Sequence, residues 1–123
     1  MTAEFQEGVR LVNSQKFFEA HEALETIWLK AHGQEKLFLH GLIQIAAAFH
    51  HYTRNNRAGF KSLLEKGREK LLNPGATAQE IDLADFLRQL DPWREWLARG
   101  DAATFQNAPH LPRIELLRGR QSD

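Results

Sequence analysis

The stretch LFLHGLIQIAAAFHH, residues 37–51, decides the fold, because it is apolar on almost every side of a helix. An amphipathic surface helix carries polar residues along one side, whereas this pattern is typical of a central helix with other helices around it. The stretch is too short to span a bilayer, and His40 and Gln44 interrupt it. We therefore predict a buried core helix over about residues 35–54.

Capping signals divide the flanking sequence into further helices. Thr2 is a good N-cap for a first helix, and Gly33 supplies the left-handed conformation expected at the C-cap of a second one. Asn55 suits the left-handed position that ends the core helix, and Asn56 suits the N-cap of the next helix. The predicted helices cover about residues 3–13, 16–31, 35–54, 57–72 and 79–98.

The C-terminal part of the chain carries weaker helical signals. Thr77 with Glu80 three residues on forms a capping box for the fifth helical region. We expect Asp91–Pro92 to divide that region into two segments, since proline is tolerated in the first turn of a helix and not in its interior. Residues 100–123 contain no sustained helical period and are predicted as an extended tail laid on the helical body. Its expected anchors are Phe105, Leu111 and Ile114.

The predicted fold is therefore all-α, a bundle of about five helices with an extended C-terminal tail. A chain of 123 residues is long enough for one hydrophobic core, so we expect a single domain over residues 1–123. Its 42% hydrophobic and 26% charged residues are typical of an ordinary globular protein rather than a disordered or fibrous one.

Charge and cysteine content exclude several functional classes. Sixteen basic residues balance sixteen acidic ones, so the chain lacks the positive charge that nucleic-acid binding normally needs. The absence of cysteine excludes disulfides, thiolate metal sites and cysteine nucleophiles. The N-terminal MTAEFQEGVR has acidic residues where a signal peptide would have a basic region and an apolar run. We expect a cytoplasmic protein that binds neither nucleic acid nor a membrane.

Polar residues interrupt the apolar side of the second helix, FFEAHEALETIW, residues 17–28. At about 100° per residue, Glu25 lies about 40° from His21 and Trp28 about 20° from it in the other direction, so these side chains sit among apolar neighbours. Glu22 lies about 100° round the helix, at the rim. Burial of an imidazole or a carboxylate is costly unless it is partnered, so this pattern indicates a polar seam or a bound group.

A second polar stripe lies on the core helix, where His40, Gln44 and His51 fall within about 40° of one another. Consecutive helices joined by a short loop pack antiparallel by default, which would bring His21 and Glu25 opposite this stripe. The sequence therefore predicts a polar cleft between the second and third helices.

One hypothesis makes this cleft an enzyme site. Imidazoles and carboxylates are ligands for divalent transition metals such as Zn, Mn or Fe, and they also perform acid–base chemistry. In this interpretation His21, Glu25 and His51 hold a metal, Glu22 is the general base, and Gln44 orients a small polar substrate for hydrolysis. The His-Glu-x-x-Glu spacing differs from the metalloprotease His-Glu-x-x-His motif, since Glu25 replaces the second histidine.

The other hypothesis, which we favour, is a non-catalytic helical module. A His–Glu pair four residues apart is a common local interaction, and a buried polar network can fix helix packing. The seam would then set the register of the helices, or bind a small ligand or a protein partner, with a homodimer as one arrangement. Trp28 is interpreted as a core or cleft-wall aromatic residue, and Asn56 as a cap whose amide could also reach the seam.

These residues carry a family resemblance. FFEAHEALETIW followed by FLHGLIQIAAAFHHYTRNNRAG resembles the small bacterial and archaeal family catalogued as domain of unknown function 309, over about the first 70 residues. The positions that match the pattern of that family are Phe18, Glu19, His21, Glu22, Glu25, Trp28, Gly41, Leu42, Ile43, Gln44, His51, Asn56 and Gly59.

The resemblance implies an all-helical fold and a shared cleft, and it implies no activity. The residues that it places in the cleft are His21, Glu22, Glu25, Gln44 and His51. The chain departs from the family pattern at His40, where glutamine is usual, and at Asn55, which replaces the glycine of a turn. Asparagine is a tolerable replacement there, because it adopts positive φ more readily than most residues.

Overall fold

The structure, a computed structural model, describes residues 2–73, 80–99 and 108–117. These residues form five α-helices and no β-strand, so the all-α prediction is confirmed. In chain order the helices are α1 (Ala3–Asn13), α2 (Phe17–Trp28), α3 (Gly33–Thr53), α4 (Arg57–Leu72) and α5 (Leu83–Ala98). Within the described ranges, no helix combines the length and the apolar character needed to cross a bilayer.

Three of the predicted caps are confirmed. The Thr2 hydroxyl accepts a hydrogen bond from the Phe5 N–H at 3.1 Å and begins α1. Asn55 has a φ of 61°, in the left-handed region, and directly follows the C-cap of α3. The Asn56 side chain then caps α4 by accepting from the Gly59 N–H at 3.0 Å.

The predicted end of α2 is wrong by three residues. The helix ends at Trp28, and the chain turns through Leu29 and Lys30. Gly33 does adopt the left-handed conformation, with a φ of 59°, but it stands at the first residue of α3 rather than at the end of α2. Its conformational freedom is therefore used to direct the chain into the core helix.

The predicted division of the fifth helical region at Asp91–Pro92 is also wrong. Helix α5 passes through Pro92 without a break, and Pro92 itself is exposed. The apolar stripe of α5 continues on both sides of the proline, and its burial outweighs the hydrogen bond that the missing N–H would have made. This stripe consists of Phe86, Leu90, Trp93 and Trp96, all buried.

The start of α5 also differs from the prediction. Thr77 of the predicted capping box lies outside the described residues, whereas Glu80 precedes the helix. The side chain of Asp82 caps α5 by accepting from the Asp85 N–H at 3.1 Å. Asp82 therefore supplies the N-cap of α5, a role that the sequence pattern assigned to Thr77.

Helix α3 is the centre of the core, as its apolar composition predicts. It packs against α2 on one side and α4 on another, while α1 packs on α2 and α5 on α4. Phe49 of α3 lies 5.1 Å, between ring centroids, from both Phe60 of α4 and Trp93 of α5. Helices α3 and α4 approach closely at Gly41 and Gly67. Helices α2 and α4 both pack on α3, and two residues of its polar stripe, His40 and Gln44, line a cavity between the three helices.

The extended tail is observed over residues 108–117. Ile114 is buried and Leu111 half-buried, whereas the predicted anchor Phe105 lies outside the described residues. The Asn13 side chain donates to the Ile114 carbonyl at 2.9 Å and accepts from the Ile114 N–H at 2.7 Å. Gln89 makes the same pair of bonds to the backbone of Arg113. Side chains of α1 and α5 thus bind the tail through hydrogen bonds to its main chain.

Candidate functional site

A cavity of about 200 Å³ lies between α2, α3 and α4. It brings together four residues of the predicted polar seam, His21, Glu25, His40 and Gln44, with Trp28, which the sequence predicted as a core or cleft-wall aromatic residue. Ile43, Ala47 and Leu63 complete its wall. Leu63 shows that α4 contributes to a cleft that the sequence placed between α2 and α3 alone.

Two polar atoms of the cavity-lining residues have no hydrogen-bond partner within the described part of the chain. They are Nδ1 of His21 and Oε1 of Gln44, and both are buried. In native proteins the large majority of buried polar side-chain atoms are hydrogen-bonded, because an unmet donor or acceptor costs its full desolvation energy. The described residues of the seam therefore do not satisfy each other completely.

Trp28 and His40 both line the cavity, and their ring centroids lie 5.4 Å apart. The ammonium group of Lys36 lies 4.6 Å from the centroid of the Trp28 ring, within the range of a cation–π interaction. Burial, and then the positive charge of Lys70, lowers the pKa of His40. At neutral pH the His40 imidazole is therefore uncharged and offers one donor and one acceptor.

The two acidic residues of the seam occupy different places. Glu25 lines the cavity and is also exposed to solvent. Glu22 is exposed and is not among the residues that line the cavity. The proposed general base thus lies on the rim that the helical wheel indicated, while Glu25 faces the cleft.

His51 belongs to a different local structure, the N-terminus of α4. Because the Oδ1 atom of Asn56 accepts from the Gly59 N–H, its Nδ2 group faces Nδ1 of His51 at 2.9 Å. An amide nitrogen only donates, so Nδ1 of His51 is the acceptor and the ring proton lies on Nε2. Asn56 is therefore both the helix cap and the residue that sets the His51 tautomer.

This tautomer leaves no free imidazole lone pair on His51 for a metal. A ligating histidine normally donates its second ring N–H to a neighbour, whereas His51 accepts there. The described residues also contain no group of three or more His, Asp or Glu side chains placed to hold a metal ion. The structure thus does not bring the predicted ligands His21, Glu25 and His51 together as a metal site.

A second group of imidazoles lies beside the cavity. The exposed ring of Phe18 is 6.3 Å from His21 and 5.3 Å from His50, measured between ring centroids. The pKa of His50 is lowered by burial first, and then by the charges of Arg54, His51 and His21. Sequence reasoning assigned no role to His50, because the helical wheel turns it away from the polar stripe.

Comparison with known proteins supports the family resemblance. Residues 5–63 match the family model described as domain of unknown function (DUF309). All the residues that line the cavity fall within this range. A search among curated proteins found no match to the chain. The resemblance predicted from the sequence is confirmed, and its description names no activity.

Proposed function

We propose that this chain, whose cavity is built wholly from residues that match a domain of unknown function, is a cytoplasmic module that binds a small polar ligand between α2, α3 and α4. One observation carries the proposal: His21 and Gln44 both line the cavity, and each holds one buried side-chain atom, Nδ1 and Oε1, without a hydrogen-bond partner in the described chain. The unmet desolvation energy of these atoms is a cost to the fold, and costs of this kind concentrate at functional sites.

The same observation argues against a seam that only fixes helix packing. A polar network stabilises one helix register when its members hydrogen-bond to one another. A network with unpaired donors or acceptors is less stable than apolar packing at the same positions. His21 and Gln44 carry atoms that no seam neighbour satisfies, so the seam gives up stability at these positions. Loss of stability at a site is the usual sign of a function that needs those groups.

The hydrolase hypothesis receives no comparable support. Its general base, Glu22, is exposed away from the cavity lining, and the Nδ1 lone pair of its third metal ligand, His51, is taken by Asn56. We therefore propose ligand binding and not hydrolysis.

The test is the free energy of unfolding of a Gln44→Met variant, measured by urea denaturation. Methionine keeps the length of the side chain and removes the unmet acceptor, so we expect a gain of about 1 kcal/mol. Gln34→Met, at an exposed position in the first turn of the same helix, is the matched control and should change little. A loss of 1 kcal/mol or more on the Gln44→Met change, about the worth of one hydrogen bond, would mean that the amide is satisfied and serves the fold.

A further inference from the structure

One face of helix α2 is exposed to solvent along the whole helix. Phe18, Glu22, Glu25 and Leu29 are all exposed, and at about 100° per residue they fall within about 60° of one another. Leu29 is the C-cap of α2, and its φ of −60° and ψ of −26° continue the helical geometry. We call these four residues the outer face of α2.

Both ends of the outer face are apolar. Phe18 is 48% exposed and Leu29 is 66% exposed, and they are two of the three large apolar side chains that the described residues expose. The Phe18 ring lies 6.3 Å from the His21 ring and 5.3 Å from the His50 ring, between centroids, so these contacts restrict its orientation. An ordered aromatic side chain that remains in contact with water is typical of the residues that anchor protein–protein interfaces.

The middle of the outer face is acidic. Glu22 and Glu25 lie between the two apolar side chains and are three residues apart, a spacing at which like charges destabilise a helix. Within the described part of the chain, neither carboxylate takes part in an ion pair. The outer face therefore combines two exposed apolar side chains with two uncompensated negative charges.

These charges decide which class of partner fits. Carboxylates repel nucleic acid and anionic lipid surfaces. A second copy of α2, packed antiparallel so that Phe18 meets Leu29, would place Glu22 of one copy opposite Glu25 of the other, and like charges would meet. A partner that carries cationic side chains between two apolar ones complements both parts of the face.

We propose that the outer face of α2 binds a basic amphipathic helix of another protein. Its apolar side chains would contact Phe18 and Leu29, and its lysine or arginine side chains would pair with the carboxylates between them. Helices that bind in this way use side chains that repeat every three or four residues, as the outer face does. The proposal goes beyond the proposed function and does not depend on it, because Glu25 alone of the four residues lines the cavity.

The experiment titrates a synthetic helical peptide into the isotope-labelled full chain and follows backbone amide resonances. The peptide is Leu-x-x-x-Lys-x-x-Lys-x-x-x-Leu with flanking residues, where x is alanine or glutamine, so its spacing matches that of the outer face. One control peptide has glutamate in place of both lysines. The other has the same composition, with both lysines moved to the opposite side of the peptide helix.

We expect the first peptide to shift resonances of α2 between Phe18 and Leu29, and to bind more weakly when NaCl is raised from about 20 mM to about 500 mM. Both control peptides should bind at least about fivefold more weakly, because each loses two surface ion pairs. If either control peptide binds as tightly as the first, charge complementarity does not select the partner and the proposal is wrong. Absence of any shift in α2 overturns it as well.

Matched variants locate the binding face. Leu29→Gln should weaken binding of the first peptide by about tenfold and Glu22→Gln by about threefold, because one removes an apolar contact and the other a surface ion pair. Leu72→Gln and Glu65→Gln make the same changes at exposed positions of α4 and should leave binding unchanged. Equal losses in the α4 variants, or unchanged binding in both α2 variants, would contradict the proposal.

The same variants test the other occupant of this face, a second copy of the chain. If the parent chain forms a dimer in sedimentation experiments and Leu29→Gln abolishes it, the outer face is a self-association surface and the proposal is wrong. A parent chain that stays monomeric while it binds the lysine peptide supports the proposal. The stability of Gln44→Met tests the cavity separately from all of these results.

Discussion

The backbone of Gly41 on α3 lies directly against the backbone of Gly67 on α4. A Cβ atom added to Gly67 would stand 2.9 Å from the Gly41 carbonyl oxygen, and one added to Gly41 would stand 3.2 Å from the Gly67 oxygen. Both distances are shorter than a normal contact, and a carbonyl in a helix cannot move aside without moving the helix. Glycine at both positions is what lets α4 approach the core helix and place Leu63 at the cavity.

We therefore expect Gly67→Ala to lower the free energy of unfolding by about 1–3 kcal/mol, the usual cost of overpacking. The loss should appear although alanine favours the helix by about 1 kcal/mol over glycine. Ser62→Ala, on the exposed face of α4, should leave stability unchanged or slightly higher in the same urea denaturation. Equal stability of Gly67→Ala and the parent chain would show that α3 and α4 can separate at no cost.

The His51 tautomer is open to a direct test through Asn56. In the parent chain, long-range nitrogen–proton correlation spectra should show the His51 proton on Nε2, because Nδ1 accepts from the Asn56 amide. Asn56→Asp keeps the helix cap, since aspartate caps as well as asparagine, but replaces the donor with an acceptor. We expect the proton of His51 to move to Nδ1 in this variant. A proton on Nδ1 in the parent chain would contradict the assigned geometry.

Stability should fall as the solution becomes more acidic than pH 6.5. Burial and the charge of Lys70 lower the pKa of His40 below its usual value of 6.5, and burial with nearby positive charges does the same for His50. Between the lowered pKa and 6.5, the unfolded chain binds protons that the folded chain does not, so stability is fully present above this window and decreases as pH falls through it.

The matching variants are His40→Gln, which introduces the residue that the family resemblance implies at this position, and His50→Gln. Each should make the dependence shallower when the free energy of unfolding is followed from about pH 8 to about pH 5, and the double variant should make it shallower still. An unchanged slope in the double variant would mean that other groups produce the acid sensitivity.

The tail offers a test of coupling between distant side chains. Asn13→Ala and Gln89→Ala each remove a pair of hydrogen bonds to the backbone of neighbouring tail residues, at a cost of about 1–3 kcal/mol. If residues 108–117 bind the helices as one unit, the second substitution should lower the free energy of unfolding by less in the background of the first, because the first has already released the segment. Urea denaturation of the two single variants and the double variant gives the coupling energy between Asn13 and Gln89. Strictly additive losses would show that the two pairs of hydrogen bonds act independently.

The fold was predictable where local chemistry decides the structure. The all-round apolar pattern of residues 37–51 predicted the central helix, and the caps at Thr2 and Asn56 followed from side-chain chemistry alone. The predictions failed at Gly33 and at Pro92, where tertiary packing overrides a local signal. A glycine can serve either neighbouring helix, and a proline is carried within a helix whose buried stripe is strong enough.

The site was predictable in its composition and not in its boundary. Helical periodicity brought together the polar residues that do line the cavity, from His21 to Gln44. It could not separate His51 from them, because the wheel gives a direction around α3 and not the choice between α2 and α4 as a neighbour. Leu63 was missed for a related reason, since its apolar stripe on α4 is equally compatible with the core.

The pair of hydrogen bonds between Asn13 of α1 and Ile114 of the tail also has a consequence for the order of folding. Asn13 is bound by Ile114, 101 positions further along the chain, whereas the helices that form the cavity contact their neighbours in sequence. During synthesis the cavity can assemble from local contacts before Ile114 is available to bond the Asn13 amide, because long-range contacts form late. A ribosome-bound nascent chain that ends before residue 113 would therefore contain the formed cavity, while the Asn13 side chain would lack its hydrogen bonds to Ile114.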